Sequence, residues 1–449
     1  MFKRILVANR GEIALRVIRA CSKLGIQSVA VYSEADAESP HLEEADRSIC
    51  IGPAKSSLSY LNMEAIIQAA EQNDCCAIHP GYGFLAENAL FSELCEQAKM
   101  TFIGPTASAI RLMGDKATAR ETMRSAGLPV IPGSRGTLKN EKEGLESARS
   151  IGFPVLLKAT AGGGGRGMRR VDSESEFQQK YQEASLESEK AFGNPGLYME
   201  KYIVDGRHIE FQVMADAFGN VVHLGERECS AQRRHQKLLE ESPSPVIDDE
   251  TRRTLGEKIR SALGVIGYRN AGTMEFFRDQ DGHLYFMEMN TRLQVEHPVT
   301  EMVTGVDLVV EQIRVSANEP LSINQENISI KGHAIECRIN AEDPDDDFKP
   351  SPGTVSGFVP PEDMSEVEVR VDSHVQAGYN IPVYYDSMIA KLIVRGEDRD
   401  AARLGMINAL QDFNIEGIKT TIPVHLKIMN NPDFSAGRYD TGFITRLLG

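Results

Sequence analysis

The sequence predicts an α/β protein over roughly its first hundred residues and an α+β protein beyond. Three observations predict it. Short β-branched runs alternate with segments of helical period between Arg4 and Pro105. Strand-like runs then cluster between Leu197 and Asn290. The 449 residues leave room for about three domains.

The first segment opens on RILVA (4–8), a β-branched apolar run. Behind it Ile13, Val17, Cys21 and Leu24 recur at spacings of three and four, and Gly25 ends the pattern. QSVAVYS (27–33) predicts a second strand, EAIIQAAEQN (64–73) another helix, and CAIHPGYG (76–83) a strand running into a glycine-rich loop. TFIGP (101–105) closes the segment. Such alternation implies a parallel, Rossmann-like sheet. Its first turn, ANRGEIA, lacks the G-x-G-x-x-G of dinucleotide binding. HPGYGFLAEN falls at a strand's carboxyl end, where open α/β sheets place ligands, and equally fits an ordinary crossover loop. The domains expected are 1–105, a helical linker 106–130, a compact segment 131–203, a strand-rich segment 204–332 and an α+β portion 333–449.

A net charge of −16 argues against a general binder of nucleic acid or anionic membranes, while a local basic pocket remains compatible with it. Apolar runs fall far short of a membrane span. In MFKRILVANRGEIA, Arg10 and Glu12 interrupt the apolar stretch too early for a secretory signal. Seven cysteines, odd in number and without C-x-x-C, fit reduced thiols better than disulfides or zinc. The expectation is a soluble cytoplasmic protein.

In KATAGGGGRGMRR (158–170), Gly162, Gly164 and Gly167 satisfy G-x-G-x-x-G literally, and Gly162 and Gly167 have P-loop spacing. Met168 stands where a P-loop lysine would, and MRRV reads as a second strand. The helix begins only near Ser173, with Glu176 as capping-box partner. Strand, glycine loop and strand make a hairpin flap. Its free amides, with Arg166 and Lys158, can cover phosphates; the glycines alone fit a plain surface loop equally well.

Between residues 271 and 301, TMEFF and HLYFMEMN are joined by D-Q-D-G, which predicts a hairpin. A period of two puts Glu288 and Asn290 on one face, and the same register continued adds Arg292, Gln294 and Glu296. A solvent-facing strand would alternate in the same way. Glu275 on the partner strand favours a ligand site, because two carboxylates and an amide oxygen suit Mg²⁺ bridging nucleotide phosphates. Arg292 and Glu296 would then serve an anion and a proton. GERECSAQRRHQKLLEESPSP (225–245) reads as a short cationic loop for phosphate or a small anion, since glutamates flank QRRHQK.

KATAGGGGRGMR, MEKYI, ERECSAQRRHQK, EFF with YFMEMNTRLQVEHPVTE, and HAIECRINAEDP follow one another in a known order, together with HPGYGFLAEN and GDKATAR. In order and spacing the sequence resembles the biotin carboxylase family of the ATP-grasp superfamily from residue 4 onward. The resemblance implies an ATP-grasp fold with a Rossmann-like N-terminal domain, a small mobile lid and a larger C-terminal domain. It implies phosphate contacts from Lys116 and Lys158 and from the lid amides of Gly164 and Gly165. Glu200, Lys201, Tyr202 and Ile203 would read adenine, with His208, Gln232 and His235 around the nucleotide. Glu275, Glu288 and Asn290 would hold Mg²⁺ or Mn²⁺, as two ions. Lys237, Arg292, Gln294 and the Val295 backbone would hold bicarbonate, and Tyr82, Gly83 and Arg338 biotin.

The chemistry implied starts with Glu296 taking a proton from bicarbonate, whose carbonate attacks the γ-phosphate of ATP. Carboxyphosphate then yields CO₂ and phosphate, and the phosphate deprotonates biotin N1′ while Arg338 stabilises the enolate. The Met-Lys-Met triplet of biotin carriers does not occur in the sequence. The expectation is therefore a free-standing, homodimeric subunit serving a separate biotin carboxyl carrier protein and carboxyltransferase subunits. Acetyl-CoA carboxylase is the expected assembly; pyruvate, propionyl-CoA or other acyl-CoA carboxylases are the alternatives. ESPSP (241–245) departs from the alanines many relatives carry there. Other ATP-grasp ligases would lack RLQVEHP with QRRHQK and Arg338, and a catalytically dead regulatory or structural subunit would have lost Glu296 or a metal ligand.

Overall fold

The first five strands are short and parallel, ordered β3-β2-β1-β4-β5: β1 Arg4–Val7, β2 Gln27–Tyr32, β3 Arg47–Cys50, β4 Ala77–His79 and β5 Thr101–Phe102. They come from a computed structural model that describes residues 1–134, 136–160 and 168–449. Arg166 and the glycine run, Gly164 and Gly165 included, lie outside the described residues. After Arg4, β1 is apolar, Ile5, Leu6 and Val7 in succession, because helices cover both faces of the sheet. Ile5 and Val7 pack with Ile13 and Val17 of the helix Gly11–Lys23, while Leu6 joins Ile66 and Phe91 on the other side. The chain order reverses between β1 and β4, which opens a crevice at their carboxyl ends. There Asn9 Nδ2 donates to the carbonyls of Pro80 and Tyr82, each at 2.7 Å, and ties the first turn to the HPGYG loop.

The segment after the Pro/Gly boundary carries a three-stranded antiparallel sheet of β6 Val155–Ala159, β7 Met168–Val171 and β8 Leu197–Lys201, ordered β7-β6-β8. Val155, Leu157, Val171 and Met199 close against Phe177 and Ala148 of the two helices packed on it. Ser173 does stand at the N-cap of the helix Glu174–Phe192, but the capping box is not formed. Its hydroxyl donates to Glu176 Oε1 at 3.2 Å instead of accepting a backbone N–H.

The largest sheet has eight antiparallel strands. In spatial order these are β13 Leu284–Asn290, β12 Asn270–Arg278, β9 Arg207–Ala215, β10 Val221–Arg233, β11 Gln236–Ser242, β14 His333–Asn340, Met388–Gly396 and Glu368–Ser373. It runs unbroken across the boundary expected at 332/333, through the pairing of β11 with β14. GERECSAQRRHQK is therefore not a loop. It is most of β10, a two-residue turn at Arg234 and His235, and the start of β11. Both turn residues have positive φ, 49° and 65°, as a tight hairpin requires.

Bulges at Leu238 in β11 and Met287 in β13 break the period of two. The first lets Lys237 and Glu240, three residues apart, serve the same face. The second turns Phe286 into the apolar core while Glu288 faces outward toward Lys116.

On the sheet's far face, buried Glu241 accepts from Arg399 Nε at 2.7 Å and from the Tyr439 hydroxyl, and lies 2.6 Å from His333 Nε2. Burial alone would raise this carboxyl, but His333 and Arg399 outweigh it and bring it down to about 2. A folded pKa below the unfolded value means the stabilisation is complete above about pH 4.5 and is lost as pH falls toward 2, roughly 3 kcal/mol in all. Urea denaturation followed by circular dichroism should show the stability of Glu241→Gln falling less steeply than the parent's from pH 4.5 to 3. Parallel curves would rule this linkage out.

Candidate active site

Register aligns three carboxylates across three strands, Glu210 on β9 with Glu275 on β12 and Glu288 on β13. The next row is Gln212, Thr273 and Asn290. Like charges facing one another in a sheet repel, so each carboxylate needs a cation. Lys116 Nζ lies 2.6 Å from Glu288, His208 Nε2 3.0 Å from Glu275, and Lys237 Nζ 2.7 Å from Glu210 and 3.8 Å from Glu275. Burial would raise the Glu275 carboxyl, yet Lys237 and His208 pull it well below the usual range. His208 is raised despite its own burial, chiefly by Glu275, and Gln232 holds its Nδ1 at 2.7 Å.

After Asn290 the chain leaves the sheet, so the alternation expected through Glu296 stops there. Leu293 is anchored in the core beneath the N-terminal domain, and Glu87 takes the Thr291 amide at 2.9 Å and Arg292 Nε at 3.0 Å. Glu296 becomes the N-cap residue of the helix His297–Thr304. The loop nonetheless brings its polar groups back to the row. Gln294 Nε2 donates to Glu275 Oε1 at 2.8 Å, and Arg292 Nη2 to Asn290 Oδ1 at 3.1 Å.

Glu296 is 2 % exposed and held from both sides, by Lys237 at 2.5 Å and Arg338 Nη2 at 2.9 Å. Burial opposes ionisation, but Lys237, Arg338 and Arg227 together hold the carboxyl well below the ordinary range. Arg338 also donates from Nε to Glu240 at 2.7 Å, a carboxyl that burial pushes up to about 7 against the pull of Arg338. This cluster can bind a small anion between cations while keeping a carboxylate beside it to accept a proton.

Glu200, Lys201, Tyr202 and Lys158, expected on the nucleotide side, occupy the smaller sheet and its edge. The Glu200 carboxylate sits between Lys158 and Arg120, the latter at 3.0 Å. The Lys201 and Tyr202 amides donate to Pro132 and Pro154 carbonyls at 2.7 and 3.0 Å, and Lys201 Nζ bonds the Gly152 and Phe153 carbonyls. Adenine would thus have to be read by other atoms of this stretch, which continues at Ile203. His235 occupies the exposed hairpin turn. Tyr82 and Gly83 lie at the crevice of the N-terminal sheet, and the Tyr82 hydroxyl donates to Glu12.

Family models match three consecutive stretches: biotin carboxylase N-terminal domain over residues 1–110, carbamoyl-phosphate synthase L chain ATP-binding domain over 115–324, and biotin carboxylase C-terminal domain over 336–446. The biotin carboxylase of Nostoc sp. PCC 7120 is 56% identical over 446 residues, 99% of each chain. The chain belongs to the biotin carboxylase family. A Campylobacter jejuni biotin carboxylase, solved as a β,γ-ATP complex, superposes with a TM-score of 0.95 at 51% identity over 99% of each chain. The biotin carboxylase domain dimer of Hydrogenobacter thermophilus 2-oxoglutarate carboxylase, with MgADP, ADP and bicarbonate, gives 0.93 at 50% identity, covering 100% of this chain and 99% of that one.

Family motifs led to the residues just described but passed over their supports. Arg227, with no exposed surface, donates to Glu210 at 2.6 Å, Gln212 and Thr300 at 2.9 Å each, Gln294 at 3.1 Å and Thr273 at 3.3 Å. It sits in GERECS, where both strand faces are polar, so alternation carries no signal. Glu210 and Gln212 did have one, because HIEFQV alternates polar and apolar residues. Glu240 is hidden by the bulge at Leu238, and Glu87 lies some two hundred residues from its partners.

Proposed function

We propose that this chain uses ATP and bicarbonate to carboxylate biotin on a separate carrier protein, through carboxyphosphate. The observation that carries the reading is Glu296 held between Lys237 and Arg338 beside the carboxylate row. Bicarbonate entering among Lys237, Arg292, Gln294 and the Val295 backbone competes with Glu296 for the same cations. Each cation that turns to the anion raises the proton affinity of Glu296, which prepares it to take the bicarbonate proton. Lys237 and Arg292 then face a carbonate positioned for attack on the γ-phosphate, while Lys116 and Lys158 neutralise phosphate charge. Arg338, freed from one of its two carboxylates, can stabilise the enolate of biotin delivered past Tyr82 and Gly83.

Glu275, Glu288 and Asn290 fit Mg²⁺ or Mn²⁺ by donor chemistry, as two carboxylates and an amide oxygen on adjacent strands. Bound there, the ions would neutralise phosphate charge of ATP. His208, Gln232, His235, Glu200, Lys201, Tyr202 and Ile203, with the Gly164 and Gly165 amides, complete the nucleotide site in this reading.

The reading extends to a cytoplasmic homodimer that works with a biotin carboxyl carrier protein and carboxyltransferase subunits of acetyl-CoA carboxylase. Seven free cysteine thiols support a reducing compartment. Among the described residues no helix is long and apolar enough to cross a membrane. A second assembly, one that carboxylates a 2-oxo acid, is favoured by the likeness to the Hydrogenobacter domain.

The test is ATP cleavage with bicarbonate, with and without free biotin. Biotin should stimulate it, and Arg338→Ala should remove the stimulation by about 10²-fold while bicarbonate-dependent cleavage persists. Absence of stimulation in the parent protein would overturn the assignment.

A further inference from the structure

Lys391, on the strand Met388–Gly396, has no exposed surface. Register places it opposite Arg338 on one neighbouring strand and Asp372 on the other. Its Nζ donates to the Val295 carbonyl oxygen at 3.0 Å and lies 3.2 Å from Glu12 Oε2 and 3.7 Å from Asp372 Oδ2. It also stands 6.0 Å from the centre of the Tyr82 ring. The other Glu12 oxygen accepts the Tyr82 hydroxyl. An ammonium out of water persists only where opposite charge and hydrogen bonds replace its hydration. One hydrogen bond to a carbonyl and two carboxylates within ion-pair distance replace that hydration.

Those partners come from parts of the chain far apart in sequence: the helix Gly11–Lys23, the loop after β13, and the C-terminal strands. Two of the partners, the Val295 carbonyl and Glu12, lead to candidate substrate contacts. The Val295 carbonyl belongs to the peptide that joins Val295 to Glu296, so the bond to Lys391 sets the plane from which Glu296 projects. Glu12, fixed by Lys391, in turn fixes the Tyr82 hydroxyl in the HPGYG loop.

We propose that Lys391 is a positioning residue that locks the bicarbonate loop at Val295–Glu296 to the biotin loop at Tyr82–Gly83 through Glu12, so that both substrates are aligned by one buried ammonium. This rests on the assignment of those two loops made above. It accounts for a buried lysine that no step of the reaction uses directly.

The experiment is steady-state kinetics on the full chain with free biotin, varying ATP, bicarbonate and biotin in turn. Tyr82→Phe removes only the hydroxyl that Glu12 accepts. It should raise the KM for bicarbonate three- to tenfold, as well as that for biotin, with the KM for ATP within twofold. Lys391→Met should raise the bicarbonate KM at least as much, and adding Tyr82→Phe to it should cause no further rise. If Lys391→Met does not fold, Glu12→Gln, which keeps the side-chain shape, replaces it in the same cycle with the same expectation. A Tyr82→Phe effect confined to biotin, or effects that multiply in the double variant, overturns the proposal. The parent protein and Glu296→Gln separate the two levels. If Glu296→Gln abolishes bicarbonate-dependent cleavage while Tyr82→Phe is silent toward bicarbonate, only the lock fails. If Glu296→Gln is without effect, the loop assignment fails and takes the lock with it.

Discussion

Glu296→Gln should lower bicarbonate-dependent ATP cleavage by about 10²- to 10⁴-fold, the span expected when a general base is removed. The amide keeps the shape of the side chain but cannot accept the proton. The fold should survive, because neither cation is orphaned: Lys237 keeps Glu210 at 2.7 Å and Arg338 keeps Glu240. The loss should therefore appear in kcat, with the thermal midpoint little changed and the KM for ATP within about twofold. Phosphate release assays at saturating ATP, with and without biotin, read it directly. A variant retaining more than a tenth of the parental rate would show that the bicarbonate proton goes elsewhere.

The largest effect on stability is expected at Arg227. Arg227→Met replaces a guanidinium that bonds five side chains with an apolar chain of similar length. Glu210 would keep Lys237 as its cation, but Gln212, Gln294, Thr273 and Thr300 would each lose a buried donor. Breaking one side of a buried ionic network costs about 3–5 kcal/mol. Arg227→Lys should recover only part of this, since one ammonium cannot span the fork of contacts a guanidinium makes. Because Gln294 is among the groups released, the KM for bicarbonate should rise as well. Urea denaturation followed by circular dichroism suits a chain without tryptophan. A loss below about 1 kcal/mol would mean that the network repacks without its centre.

Much of the architecture was legible because it depends on local periodicity. RILVA and the 3.6-period run behind it are a strand and a helix in any context that buries them. The D-Q-D-G turn between two alternating runs leaves a hairpin as the natural outcome. HPGYG was ambiguous, and strand order resolved its place: β1 lies beside β4, so the loop opens at the switch point of the sheet. Motif order identified the family, and with it a set of residues to look for.

Where periodicity failed, long-range geometry had won. QRRHQK reads as a basic loop by composition, yet pairing across its own turn, Gln232 with Lys237 and Arg233 with Gln236, draws it into strands. Carrying the β13 alternation through to Glu296 assumed a continuous strand. Burial of Leu293 and the pull of Glu87 take the chain off the sheet at Asn290, and Gln294 and Glu296 return to the site from a loop.

The sequence by itself determined most of the local elements, the family they build, and the carboxylates, lysines and arginines that are candidates for the site. Only the tertiary structure decided that bulges at Leu238 and Met287 aim Lys237, Glu240 and Glu288, and that Arg227 and Lys391 hold the site from beneath. The reason is physical. A strand's period is set by its own backbone, whereas a bulge and a buried ion network exist only once distant strands have paired and excluded water around their charges.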